Sequence, residues 1–237
     1  MNTVRENIAI FGANGAIGKA LCNHYINQSN VFAFSRKDFD LNHEFLNKSF
    51  LTEYEEGLIS QKAKNFDDEF FNKIIISIGM LHNEDYLPEK RIDDFSSDQF
   101  FKTIESNLLI PTLITKYFHR KLKREQSTLA ILSARVGSIS DNRTGGWYSY
   151  RASKAGLNMT IKNLSVELGR LGRSITVIGL HPGTVDSRLS QPFQKNLEDS
   201  KIFSANYSVS KLTSVIDSVN VNSSGKCIAW DGTEILP

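Results

Sequence analysis

The sequence predicts an α/β fold: a single doubly wound domain, with a mostly parallel sheet of about seven strands and helices on both faces. Strand-length apolar runs alternate with helix-period segments along the whole chain. The runs are rich in β-branched residues and apolar on both faces, as strands buried between two helical layers are. No repeat, low-complexity tract or Pro/Gly-rich linker divides the 237 residues, so 1–237 reads as one domain large enough for one core.

Taken in order, the first strand is Asn7 to Phe11, and Ile17 to Asn27 supplies the first helix. Val31 to Phe34 is the second strand. Charges and aromatics from Lys37 to Phe71 show no clean period, and one further strand is expected near Ser49 to Glu53. Lys73 to Ile78 is a strand, and a long helix is expected from Ser97 to Arg124, with Ser96 and Gln99 spaced as a capping box. Inside it Pro111 has no N–H to give the carbonyl of Asn107 four residues earlier, which predicts a kink and a freed carbonyl there. Thr128 to Leu132 and Ser174 to Leu180 are strands flanking a helix from Tyr150 to Leu171; a helix from Ser208 to Val219 and a strand from Lys226 to Trp230 complete the alternation.

Composition narrows the function. Lys and Arg total 28 against 26 Asp and Glu, a net charge of +2, which gives no strong field for nucleic acid or an anionic membrane. The apolar runs are far short of the roughly 20 residues needed to cross a bilayer. Met1 to Asn7 leads directly into the first strand without the apolar stretch of a secretory signal, and the two cysteines, Cys22 and Cys227, read as buried thiols. A cytoplasmic protein is expected. Five histidines occur without metal-ligand spacing, so no metal site is expected.

The first strand runs into Gly12-Ala13-Asn14-Gly15-Ala16-Ile17-Gly18 and then a helix. Glycines in a strand-to-helix turn let the backbone approach a pyrophosphate seated on the positive helix N-terminus, so a Rossmann-like dinucleotide site is expected here. Where an acidic residue would select the ribose 2′-hydroxyl of NAD, the second strand ends in neutral Ser35 and cationic Arg36, favouring the 2′-phosphate of NADP(H). Asp38 and Asp40 would oppose this if the strand ended later.

Tyr150 and Lys154 lie four apart at the start of a helix, on one face. A free phenol titrates near pH ~10, too high for efficient acid–base work at neutrality. An ammonium about 4 Å away, at an effective dielectric near 20, contributes ~4 kcal/mol, enough to lower the phenol by roughly three pH units. Tyr148 has Ala152 at the same spacing and gains no such partner.

With its glycine turn, Tyr150-Arg151-Ala152-Ser153-Lys154 resembles the Y-x-x-x-K motif of the short-chain dehydrogenase/reductase family. The turn is similar to that family's G-x-x-x-G-x-G, with Ala16 in place of the middle glycine. Asn107 resembles the helix asparagine whose main-chain carbonyl holds a water bridging to the lysine, and His181-Pro182-Gly183-Thr184-Val185-Asp186-Ser187 resembles the turn beside the nicotinamide, Ser187 standing at the usual threonine. Ser224 to Gly232 resembles the final strand. The landmarks run in order from Ile8 to Gly232, and Ala134 to Ile139 with Gly145 to Tyr150 are most similar to the C-factor and Sniffer-type carbonyl reductases.

Two departures stand out. The family's Asn-Asn-Ala-Gly after the fourth strand reads Ile76-Ser77-Ile78-Gly79, which keeps Gly79 for close approach to the cofactor and loses both amides. Aligning Gly137 with the family's glycine puts Ala134 at the catalytic serine, leaving Ser133, if the strand end shifts by one residue, or Ser138 for that role. The resemblance implies an NADP(H)-dependent carbonyl reductase. In it Tyr150 transfers the proton, Lys154 lowers its pKa and binds ribose, Ser133 or Ser138 polarises the carbonyl, and Asn107 supports the relay. It also implies a small-molecule carbonyl or alcohol substrate and a homodimer or homotetramer built on the helices carrying Asn107 and Tyr150. The substrate wall is expected to include Phe193, Phe203 and Tyr207. The alternative is a dinucleotide-binding sensor or signalling protein without turnover.

Overall fold

The structure is a computed structural model describing residues 5–196 and 198–237; Met1 to Val4 of the Met1 to Asn7 stretch read for a secretory signal, and Leu197, between Phe193 and Phe203 of the expected substrate wall, lie outside them. An eight-stranded sheet runs β10-β9-β6-β5-β4-β1-β2-β3. Its strands are β1 (Glu6–Phe11), β2 (Ser29–Ser35), β3 (Leu46–Phe50), β4 (Lys73–Ile76), β5 (Glu125–Leu132), β6 (Ser174–His181), β9 (Cys227–Ala229) and β10 (Glu234–Ile235). Neighbours pair in parallel except β10 with β9. The short β7 (Thr184–Val185) and β8 (Ile202–Phe203) pair separately.

Alternation along the central strands builds two cores. Ile8, Ile10, Val31, Ala33, Ile75, Ala130 and Ile178 face α1 (Ala16–Tyr25) and α6 (Ala205–Ser218). Ala9, Phe11, Phe34, Ile74, Ile76, Leu129 and Val177 face α2 (Glu56–Ala63), α4 (Ile110–Phe118) and α5 (Tyr148–Arg170). Phe11 stacks on Phe34 across the β1–β2 pair at 4.3 Å between ring centroids, with Phe118 edge-on to both.

Three expectations are corrected. The strand expected near Ser49 to Glu53 lies earlier, at Leu46–Phe50, because its register follows pairing of Val31 to Ser35 with it rather than its own mixed pattern. The single helix from Ser97 to Arg124 is broken: α3 (Ser97–Ile104) passes into a π-helical turn at Glu105–Leu109 before α4 begins with Pro111 in its first turn. The Ile110 N–H reaches back to Glu105, an i to i−5 bond that accommodates the proline without ending the helix. The capping box does not form, since Ser96 makes no side-chain cap and Gln99 is buried, donating to the Leu87 carbonyl at 3.1 Å.

Candidate active site

The strand order reverses between β1 and β4, and an open α/β sheet binds ligands outside the carboxyl ends of its strands at such a point. Gly12 follows β1 there with φ +81°, and a Cβ on it would come within 3.0 Å of Ser77 backbone atoms just past β4. A Cβ on Gly18 would overlap the Gly12 carbonyl at 2.2 Å, so glycine at 18 lets α1 pack onto the turn. Asn14, Gly15 and Ala16 are exposed at its tip, with Ile17 partly buried behind them. Gly15 caps α1 with no side-chain bond, and the first turn carries no acid, leaving the helix N–H groups for an anion.

At the end of β2, Ser35 is buried and its hydroxyl donates to the Lys37 carbonyl at 2.8 Å. Arg36 is exposed and pairs with no carboxylate among the described residues. Asp38 is committed elsewhere: Lys48 donates to it at 2.8 Å and holds its carboxyl below the usual range. Tyr54, which the sequence did not single out, sits between the glycine turn and Arg36. Burial pushes its phenol up to about 12, partly offset by the Arg36 charge and the Gly12 backbone. An uncapped helix start, a glycine cradle and an unpaired guanidinium fit an anionic dinucleotide with a 2′-phosphate.

The chemistry-bearing side chains meet behind Gly79. A Cβ on Gly79 would lie 3.3 Å from Asn107 Oδ1 and 3.6 Å from Lys154 Nζ. Asn107 is fully buried; its Oδ1 accepts from the Met80 N–H at 2.7 Å, while Nδ2 donates to the Met80 carbonyl at 2.8 Å and to Ser153 Oγ at 3.0 Å. Lys154 Nζ donates to the Leu132 carbonyl at 2.9 Å and lies 5.9 Å from the Tyr150 ring centroid. Burial lowers Lys154 to about 8 and raises Tyr150 to about 12. The expected lowering of the phenol is therefore absent in this geometry, because the ammonium is aimed at Leu132 and desolvation of the phenolate dominates.

The serines are placed differently from expectation. Ser133 is buried and its hydroxyl donates to Asn158 Oδ1 at 2.6 Å, one helical turn beyond Lys154. Ser138 accepts from the Asp141 N–H at 3.1 Å and faces Ser140 at 3.3 Å, within its own loop. Ala134, pointing opposite to Ser133, is the residue clustered with Tyr150 and Leu81. A methyl group, not a hydroxyl, thus joins the cluster that holds Tyr150. Asn158 was missed, although its spacing of four from Lys154 carried the signal.

Val136, Trp147, Leu189 and Phe193 extend that cluster into an apolar wall, Trp147 meeting Phe193 edge-on at 5.2 Å and Tyr150 at 6.1 Å. A cavity of about 530 Å³ opens beside Gly79, lined by residues 79–85 with Arg188 and Leu189. Phe193 packs in that wall, against Trp147 and His82. Phe203 and Tyr207 do not; they pack on Trp230 at 4.7 and 6.3 Å. Phe203 also lies under Gly183, where φ +74° and a Cβ position 2.6 Å from its ring require glycine. Pro182 accepts from Ser208 Oγ at 2.7 Å, and the Ser187 hydroxyl donates to the Val185 carbonyl at 3.2 Å. Among the described residues no helix is long and apolar enough to cross a membrane.

The family model for short chain dehydrogenase matches residues 6–198. A 1-hydroxy-2-glutathionyl-2-methyl-3-butene dehydrogenase of Rhodococcus sp. (strain AD45) is 35% identical over 136 residues, covering 57% of this chain and only 58% of its own length. The C-signal protein of Myxococcus xanthus is 33% identical over 135 residues, 56% of this chain and 76% of its own. In structure, the carbonyl reductase Sniffer of D. melanogaster aligns with a TM-score of 0.81 at 22% identity, over 99% of this chain and all (100%) of that one. An NADPH-bound carbonyl reductase from chicken fatty liver aligns at 0.82 and 23%, with the same coverage. At those identities the two structures speak for the fold, and the match of the family model carries the assignment: the chain belongs to the short chain dehydrogenase family.

Proposed function

We propose that this oxidoreductase uses NADP(H) to interconvert a small-molecule carbonyl and its alcohol, with Tyr150 moving the proton. The observation that carries the reading is the burial of Lys154 and Asn107 against Gly79, with buried Tyr150 one helical turn before Lys154. Gly12, Asn14, Gly15, Ala16, Ile17 and Gly18 would hold the pyrophosphate, Ser35 and Arg36 the 2′-phosphate end. Gly79, Pro182, Gly183 and Ser187 would border the nicotinamide. When bound, NADP(H) supplies or accepts the hydride.

The protein's own part is orientation and proton transfer. Burial keeps Tyr150 in its neutral, proton-bearing form at neutral pH, the form that protonates an alkoxide in the reducing direction. Lys154 stays mostly protonated at pH 7; it would bind ribose hydroxyls and restore the proton by way of a water held on the Asn107 main-chain carbonyl. The wall of Leu81, Trp147, Leu189 and Phe193 would exclude water and take an apolar or aromatic substrate face. Ser133, turned to Asn158, is a positioning group for the helix face bearing Lys154, and no hydroxyl is assigned to polarise the carbonyl. Exposed Phe101, Leu109 and Met159, on the helices near Asn107 and Tyr150, support a homodimer or homotetramer, and a cytoplasmic location is part of the proposal.

A second reading, a dinucleotide-binding sensor or signalling protein without turnover, is favoured by one observation, an alanine rather than a serine at position 134 in the Tyr150 cluster. Titration with NADPH and NADH, then NADPH oxidation across aldehydes, ketones and quinones, separates the two. Turnover that Tyr150→Phe abolishes while NADPH affinity is kept supports the reductase. Tight NADPH binding without turnover supports the sensor.

A further inference from the structure

We infer that Glu89 is a positioning residue that seats the first turn of the helix carrying Tyr150. Helix α5 starts without a cap of its own: Trp147, in the cap position, has left-handed backbone at φ 52°, makes no side-chain cap, and no acid lies in the first turn. Glu89, four residues past the cavity-lining stretch that ends at Asp85, supplies what is missing. Its main-chain carbonyl accepts the Trp147 N–H, and its carboxylate accepts both the Ser149 hydroxyl and the Ser149 N–H, at 3.3 Å to Oε1 and 3.4 Å to Oε2 for the latter. A Cβ on Gly146 would come within 3.2 Å of the Glu89 carbonyl, so the chain entering α5 lies directly on this segment.

Glu89 is 2% exposed and Ser149 1% exposed, and no cation pairs with Glu89 among the described residues. A carboxylate buried without a counter-ion is costly unless fixed dipoles replace water, and here the helix N-terminus and two donors do so. The arrangement reaches the proposed acid directly. Tyr150 follows Ser149; its carbonyl accepts from Ser153 Oγ at 2.7 Å, and Ser153 in turn accepts from Asn107, which grips Met80 from both sides. The segment from Met80 to Glu89 is thereby tied to the Tyr150 helix directly at Glu89 and through Asn107 at Met80, with Gln99 holding Leu87 between them. Glu89 thus sets both the seat of Tyr150 and the distance between it and the facing cavity wall.

The inference rests on the reductase reading for its effect on turnover, and on geometry alone for the anchoring. Its test is Glu89→Gln and Ser149→Ala in the full chain, followed by amide hydrogen exchange, NADPH dissociation constants and steady-state kinetics. Glutamine keeps the size and removes one acceptor, turning an NH₂ toward the Ser149 N–H; loss of a charge-assisted bond speeds local opening roughly tenfold or more. The expected result is that acceleration in amides 148–153, unchanged exchange in β5 and β6, kcat lowered about tenfold, and NADPH affinity within about twofold of wild type. Ser149→Ala, which keeps the N–H bond, moves the same readouts less. Unchanged exchange at 148–153, equal acceleration in the sheet, or faster local exchange with wild-type kcat would overturn the inference. If wild type turns over none of the carbonyls, the reductase reading fails by that result, and the exchange pattern alone decides whether Glu89 seats the helix.

Discussion

Replacing Ala134 by serine adds one oxygen in the apolar cluster that holds Tyr150. Ala134 is buried but retains 9% exposure, and a hydroxyl there is expected to find water or substrate as its partner and so to escape the full penalty of an unpaired buried group. A preorganised donor on a developing oxyanion contributes about 2.7–4 kcal/mol, or roughly a hundred- to a thousandfold in kcat. A site not shaped around that hydroxyl would realise a fraction of it, so kcat should rise about tenfold to a hundredfold. NADPH affinity should stay unchanged, since the residue lies past β5 and away from the glycine cradle. The assay is NADPH oxidation against the carbonyl that wild type turns over best, with cofactor binding measured separately. Ser133→Ala should change kcat less than about threefold while lowering stability by about 1 kcal/mol through its bond to Asn158. A loss of turnover in Ser133→Ala, with Ala134→Ser inert, would refute this reasoning and return the polarising role to Ser133.

Arg36→Asp places an acid where an unpaired guanidinium now stands and should move preference from NADPH toward NADH by at least tenfold in kcat/KM, a change of about 1.4 kcal/mol; an unchanged ratio would put 2′-phosphate recognition elsewhere. Lys154 is lowered to about 8 by burial, below its ordinary value of 10.5, so the unfolded chain binds more protons between those limits and stability rises with pH across them. Removing that charge should stabilise the fold at pH 7 by about 3 kcal/mol. Set against about 1 kcal/mol for the lost bond to Leu132, Lys154→Met should gain about 2 kcal/mol in urea unfolding while losing turnover; a destabilised variant would contradict this. Burial, helped by Arg135, holds His181 at about 4 against an ordinary 6.5, and its Nδ1 has no partner among the described residues. The unfolded chain therefore takes up a proton that the native one refuses as pH falls from 6.5 to 4, removing about 3 kcal/mol across that window. His181→Gln should flatten the stability profile there, and a profile identical to wild type would exclude the histidine as its source.

What the sequence made legible divides along physical lines. The parallel strands were readable because each buries both faces, which writes a continuous apolar run irrespective of neighbours, and Gly12, Gly15 and Gly18 mark a turn whose sterics admit nothing larger at 12 and 18. Tyr150 and Lys154 were readable because helical spacing is local. β3 slipped because an edge strand with polar and half-buried residues takes its register from β2. The break at Glu105–Leu109 was signalled by Pro111, but only the fold determines whether a helix absorbs a proline by kinking or by a π-turn. The serine was the hardest case. Ser133 and Ala134 are adjacent and face opposite ways, so a one-residue ambiguity in where β5 ends exchanges a hydroxyl for a methyl in the Tyr150 cluster. Glu89 had no local signal at all: its partner lies sixty residues away, and a buried carboxylate facing a serine N–H arises only when the cavity wall and the Tyr150 helix have met. The chemistry of this site is thus written in short-range motifs, whereas its efficiency is set by contacts between segments distant in sequence.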